Sequence, residues 1–336
     1  MTSVTSCGSL QEGALLAKVS VIIPVKEINE YARESISHLR RLYPDCEILL
    51  IPDHDDGTNI EGVTIIPSWP IVAPGEKRDM AAKLASGELL AFIDDDAYPS
   101  ENWLSAALPH LGDPEIAAVG GPGVTPPSDG YRRRASGWIL ASPLGSGGYT
   151  YRFRPGRLRT VDDFPSMNLI VKATEFFAVG GFKSRYWPGE DTEFCRKLIS
   201  DLGKKIIYEP NAVVYHHRRE VFGAHLRQQA RYGLHRGHFA KQFAGNSRRI
   251  AYAVPAIFTI GLIVGLPISL VSSIGAKIYV SVLSIYLFAL ILTGAWVWKH
   301  DDDFRVIPYT LVGIVATHAV YGFSYLKGLF SDDLVH

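Results

Sequence analysis

Cysteine is scarce in this chain of 336 residues: Cys7, Cys46 and Cys195 stand far apart and form no metal-type spacing, so a cysteine-ligated metal site is excluded. Such sparse, scattered thiols fit a reducing compartment. A basic excess is missing as well. The 34 Lys and Arg residues balance 34 Asp and Glu, which excludes a general nucleic-acid binder. Residues 1–18 hold no basic segment followed by an apolar stretch, so no cleavable signal is expected in the leader over residues 1–17. The most informative absence is local. Residues 250–276, 278–298 and 306–326 contain no Asp, Glu, Lys or Arg.

Each of these runs reaches the roughly 20 residues that an apolar helix needs to cross a bilayer. They predict three transmembrane helices over about 250–272, 278–298 and 306–326, within a segment spanning 250–330. Only Lys277 and the patch 299–305 interrupt them, and three crossings would put the two chain ends on opposite sides. Arg248, Arg249, Lys299 and Arg305 flank the runs and predict a multi-pass protein of the inner membrane, its large polar region cytoplasmic. The competing reading is a buried helical core in a soluble domain.

The polar region, 18–217, alternates strand and helix. Apolar strands are expected at 19–24, 47–51, 63–66 and 89–93, with helices at about 30–42 and 76–85, the second capped by Ser86-Gly87. This alternation implies an α/β domain with a parallel sheet, and ligands bind outside the carboxyl ends of such strands. Two acidic clusters, Asp55-Asp56 and Asp94-Asp95-Asp96, fall at ends of that kind.

In a straight strand end Asp94 and Asp96 point to one side and Asp95 to the other. Two carboxylates on one side suit a hard divalent cation that keeps positions open for phosphate oxygens; a solvated turn or a helix cap is the alternative. Asp56, followed by Gly57, can accept from a ribose hydroxyl or a base N–H, although Asp-Gly is first a turn signal. Trp187-Pro188-Gly189-Glu190-Asp191-Thr192 precedes a helix expected over 193–202. On such a loop Asp191 can serve as a general base or merely cap the helix. A strand over 213–215 leads to His216-His217, either of which could add a metal ligand.

Taken together, Val21-Ile22-Ile23-Pro24, Asp55-Asp56-Gly57-Thr58, the run Gly87 to Asp96, Gly180-Gly181-Phe182 and Gly189-Glu190-Asp191 resemble the family-2 glycosyltransferases of the GT-A fold. The resemblance covers roughly residues 19–217 and implies a Rossmann-like, mostly parallel sheet followed here by the helical transmembrane bundle. It implies donor contacts from Pro24, Asp56, Lys77, Arg78, Asp94 and Asp95, with Asp56 on the nucleoside and Asp94 nearer the ribose. Asp96, Asp94 and His216, or His217 in its place, would hold Mg²⁺ or Mn²⁺. Asp191 would be the base, and Glu190 beside it would meet the acceptor or the diphosphate. The implied donor is a nucleotide-diphosphate sugar, UDP ahead of GDP, and a single displacement would invert the anomeric centre.

Residues 218–249 carry eight Lys and Arg from Arg218 to Arg249 against one acid, Glu220, and predict a basic amphipathic segment on the membrane lipid. Arg227 and Arg231 share a helical face and could meet the donor diphosphate or a lipid-phosphate acceptor. Gln228-Gln229-Ala230-Arg231-Tyr232 resembles the Gln-any-any-Arg-Trp motif of processive synthases with Tyr in place of Trp, and three spans are too few for a polymer channel. Addition of one sugar to a hydroxyl of a lipid-linked acceptor is therefore expected. Arg152, Arg154, Arg157 and Arg159 lie in a glycine-rich region expected to be a mobile loop over the site. The alternatives are a polyprenyl-phosphate glycosyltransferase, a metal-dependent nucleotidyltransferase and a non-enzymatic membrane scaffold.

Overall fold

The computed structural model describes residues 19–242, 247–332 and 334, so the expected leader and Cys7 lie outside the described residues. Contacts divide the chain into one unit of Met1–Val124 with Arg154–His216 and another of Thr125–Phe153 with His217–His336.

The first unit opens with β1 (Val19–Pro24), whose six residues are all buried. Asn29 then caps α1 (Glu30–Leu42): its side chain accepts from Ala32 N at 2.9 Å, and Ala32, Ile36 and Leu39 form the buried stripe. The chain continues through β2 (Glu47–Ile51), β3 (Thr64–Ile65), α2 (Pro74–Ala82), β4 (Leu89–Ile93), β5 (Ala97–Pro99), α3 (Trp103–Leu111), β6 (Ile116–Gly120) and β7 (Gly123–Val124). Helices α4 (Tyr131–Ala141) and α5 (Pro143–Ser146) belong to the second unit. The first resumes with β8 (Arg159–Val161), β9 (Asn168–Lys172), α6 (Ala173–Ala178), α7 (Glu190–Ser200), β10 (Lys205–Tyr208) and β11 (Val214–His216).

Eight strands form one sheet in the order β3-β2-β1-β4-β9-β6-β10-β8. β2, β1 and β4 run parallel, but β9 lies antiparallel between β4 and β6, and β8 antiparallel at the edge, so the sheet is mixed rather than all parallel. Alternate side chains face opposite ways. Val21, Ile23, Ala91 and Ile93 pack with Ile36, Leu39, Trp103 and Leu104. Phe92 instead meets Phe176 and Phe182, whose ring centroids lie 5.4 and 5.0 Å away, and Phe194 closes that cluster at 4.6 Å from Phe182. A second, three-stranded sheet runs β5-β11-β7.

Two helix boundaries differ from the pattern in the sequence. α2 begins at Pro74, whose missing N–H costs nothing at a first turn, and ends at Ala82, short of Gly87. α7 begins at Glu190, because Gly189 (φ +135°) sits at its cap; Asp191 thus lies in the first turn and not on the loop before it. Of the arginine-rich stretch expected to be a loop, Arg152 ends a 3₁₀ helix over Gly147–Arg152 and Arg159 begins the edge strand β8, while Arg154 and Arg157 between them lie outside any helix or strand.

The second unit contains α8 (Gly223–Gln242), α9 (Ile250–Val271), α10 (Ser273–Trp298) and α11 (Val306–Phe330). The last three are long and apolar enough to cross a membrane, with mean hydropathy of 2.3, 2.1 and 1.5. α10 starts before the charge-free run because Lys277 is taken into its first turns, exposed. α8 does not lie alone. Its glycines press it against α11, where a Cβ on Gly237 would stand 2.0 Å from Tyr325 O and one on Gly328 1.9 Å from Leu234 O.

Candidate active site

Strand β4 runs apolar to Ile93 and then releases three aspartates at its carboxyl end. β5 follows at once and pairs antiparallel with β11, setting His216 opposite Ala97. That register brings His216 Nε2 to 2.9 Å from Asp96 Oδ1. Asp94, Asp96 and His216 each offer a ligand atom within 4.8 Å of the other two. Two hard carboxylate oxygens with one imidazole form a donor set suited to Mn²⁺ or Mg²⁺. His217 turns elsewhere: its Nδ1 lies 2.7 Å from Asp129 Oδ1, both residues being buried in the second unit.

Arg78 ties this cluster to the next. Its Nη2 donates to Asp94 Oδ1 at 2.6 Å, its Nη1 lies 3.9 Å from Glu190 Oε1, and its guanidinium sits over the Phe182 ring. Only 3% of Arg78 is exposed, and its Nε has no hydrogen-bond partner among the described residues. A buried guanidinium N–H without a partner is expensive, and this guanidinium lies between the Asp94 and Glu190 carboxylates.

Glu190 and Asp191, adjacent in the first turn of α7, share that cation. Burial, and then the Asp191 charge, pushes the Glu190 carboxyl up to about 7. Burial also raises Asp191, against the pull of Arg78 and a hydrogen bond from Ser166. Asp191 as a residue is only half-buried, yet its Oδ1 is sealed from solvent and has no hydrogen-bond partner among the described residues. An uncompensated carboxylate oxygen with raised proton affinity is a candidate base.

The other expected donor contacts separate. Lys77 is 2% exposed, and its amino group donates to Val25 O at 2.6 Å, to Ile51 O at 3.3 Å and to Asp53. An ammonium has three donors, so none remains for a phosphate: Lys77 braces the ends of β1 and β2 instead. Pro24 is the buried last residue of β1, in register with Ile51. Asp56 stays exposed in a turn, accepting from Thr58 N at 2.9 Å, and the Thr58 hydrogen bonds hold its carboxyl below the usual range. Asp95 turns toward α1 and accepts from Asn29 at 3.3 Å; burial, then its two neighbours, raises its carboxyl to about 7. Arg227 and Arg231 are exposed on α8 in the second unit.

Two contacts at the site were not legible beforehand. Ser166 meets Asp191, and Met167 Sδ lies 3.1 Å from His216 Nδ1. Both precede β9, whose antiparallel entry sets Asn168 opposite Ile93 and so delivers them to the carboxylate end of β4. The tandem Gly180-Gly181 adds a tight approach: at Gly181 (φ +68°) a Cβ would stand 2.3 Å from Asp79 Oδ1, which accepts from Phe182 N.

The fold is that of a GT-A glycosyltransferase. A mannosyltransferase from Pyrobaculum calidifontis superposes with a TM-score of 0.53 at 18% identity, over 94% of this chain and 88% of that one. Residues 89–298, more than half of the chain, match the model described as glycosyl transferase family group 2, and the chain belongs to that family. Among curated relatives, a pre-mycofactocin glycosyltransferase of Mycobacterium tuberculosis is 28% identical over 226 residues, 64% of this chain and 46% of that protein. A glucosyl-dolichyl phosphate glucuronosyltransferase of Haloferax volcanii is 23% identical over 227 residues, 59% of this chain and 69% of that protein. The chain thus spans about half the length of the first of these relatives.

Proposed function

We propose that the protein moves one sugar from a nucleotide-diphosphate donor to a hydroxyl of a lipid-linked acceptor at the cytoplasmic face of the inner membrane, inverting the anomeric carbon. One observation carries this reading: Asp94, Asp96 and His216 converge within 4.8 Å, and Arg78 links Asp94 to Glu190 beside Asp191. Those three residues would hold Mg²⁺ or Mn²⁺, which would supply positive charge against a diphosphate leaving group. The chain's own side chains do the rest. Arg78 has a buried N–H to give to a donor oxygen, and exposed Asp56 accepts from the nucleoside. Asp191, its proton affinity raised by burial, takes the proton of the acceptor hydroxyl. Arg227 and Arg231 offer exposed charge to an acceptor phosphate.

Two observations support a lipid-linked acceptor. The Haloferax relative is named for a dolichyl-phosphate-linked sugar. Within the second unit, α9, α10 and α11 are long and apolar enough to cross a membrane, which would keep the chain at a lipid surface. The Pyrobaculum enzyme is in complex with GDP-Man and Mn²⁺, so GDP donors enter the test beside the UDP donors the sequence favours.

The test uses the purified full chain with Mn²⁺, a panel of UDP- and GDP-sugars, and acceptors that are either lipid phosphates or lipid-linked sugars. Metal-dependent transfer is expected, and Asp96→Asn should lower it by about 100-fold or more. With a hydroxyl acceptor, Asp191→Asn should cost about 10²–10⁴-fold. Retention of activity in that variant with a lipid phosphate would reassign the acceptor. Release of pyrophosphate, or no transfer and no donor hydrolysis across the panel, would overturn the reading.

A further inference from the structure

We infer that α11, although long and apolar enough to span, lies in the plane of the membrane beneath a single α9–α10 hairpin, so that both of its ends stay on one side. The argument rests on which ends touch. α9 and α10 are joined only through Ser272 and pack antiparallel: a Cβ on Gly275 would stand 2.8 Å from Ile268, one on Gly265 2.8 Å from Tyr279, and Tyr279 OH donates to Leu262 O at 3.4 Å. An antiparallel pair with so short a hinge brings Ile250 and Trp298 back to the same face of the bilayer. This holds whether the hairpin crosses fully or turns inside.

Those two returning ends meet opposite ends of α11. Near the start of α9, Tyr252 and Ala256 cluster with Tyr325, and a Cβ on Gly322 would stand 2.6 Å from Pro255 O. At the end of α10, Val297 packs with Val306, and a Cβ on Gly294 would stand 3.3 Å from Leu311 and 3.6 Å from Ile307. A helix that touches that face at its first turn and again at Gly322 and Tyr325, in its final third, cannot have crossed to the other.

Exposure along the helices agrees. Pro308, Val312, Val315, Ala319 and Phe323 are exposed three or four positions apart and form one apolar stripe, while the opposite side is buried. In α10 exposure instead runs almost all round up to Leu287 and Phe288, as for a helix immersed in lipid. The share buried is 39% for α11 against 11% for α9 and 17% for α10. α8 gives a third, separate reason. It runs parallel to α11, with His225 Nε2 2.9 Å from Thr317 Oγ1 at one end and Lys241 Nζ donating to Ser331 O at 2.6 Å at the other. If α11 crossed, α8 would be drawn into hydrocarbon with Arg227, Arg231, Arg236 and Lys241, charges that a bilayer interior strongly disfavours. Lying flat, the pair presents an apolar floor to lipid and keeps its basic residues at the level of the headgroups.

This placement does not depend on the sugar chemistry, and neither does its test. Single cysteines Asp302→Cys and Ser331→Cys, one before and one after α11, are placed on a Cys7→Ser background in which Cys46 and Cys195 remain buried. Sealed membrane vesicles of one orientation are treated with an impermeant maleimide before and after lysis. Both positions should label from the same side, each to the extent seen after lysis. Labelling from opposite sides, with Ser331→Cys reached only after lysis while Asp302→Cys is reached before it, or the reverse, would overturn the inference.

Discussion

Asp79 sits beside Arg78 but faces away from the aspartate cluster, receiving the N–H of Phe182 at 2.7 Å. Burial pushes its carboxyl up to about 6, above the value of roughly 3.9 that an unfolded chain gives. The folded protein therefore keeps this proton at pH values where the unfolded chain has lost it. Stability from Asp79 is complete below about pH 4 and is lost as pH rises to about 6. Asp79→Asn preserves an acceptor for Phe182 N while removing the titration, so melting curves of the variant should lack the part of the wild-type decline between about pH 4 and 6. Identical pH slopes for the two proteins would contradict this. At this scale the aspartate spacing was readable, because a strand's two-residue period fixes which of Asp94, Asp95 and Asp96 share a side. The fate of Lys77 was not, because nothing in a sequence states that three carbonyl or carboxylate oxygens will meet an amino group.

Elements with a continuous apolar run or a clear helical stripe were readable almost to the residue: β1, α1, β2 and β4 begin and end where their burial patterns do. The direction of β9 was hidden, since an apolar strand reads the same whichever way it runs, and with it went the contacts of Ser166 and Met167. Helix pairing was also hidden. Residues 218–249 read only as a basic amphipathic segment, and nothing in that pattern marks Gly233 and Gly237 of α8 as a contact surface for α11. Gly237→Val should crowd Tyr325 O and cost about 1–3 kcal/mol, measured by thermal unfolding in detergent. Gly261→Val is the control, because nothing lies within 4 Å of a Cβ there. Equal melting temperatures for the two variants would show that the α8–α11 contact is looser than described.

At the scale of the whole chain, equal numbers of acidic and basic residues conceal a strong division of labour. Carboxylates gather where β4 and α7 meet in the first unit, arginines line α8, and three long stretches carry almost no charge. Such partition suits the transfer proposed above, from an aqueous, multiply anionic donor to a lipid-linked acceptor. Lys77 offers a way to watch the first unit hold itself together. Reagents that acylate primary amines will consume the surface lysines early and pass over this one, because its nitrogen is enclosed by Val25, Ile51 and Asp53. Its modification, followed by peptide mass spectrometry, should therefore keep time with the rare moments when the strands part, turning an unreachable side chain into a clock for unfolding.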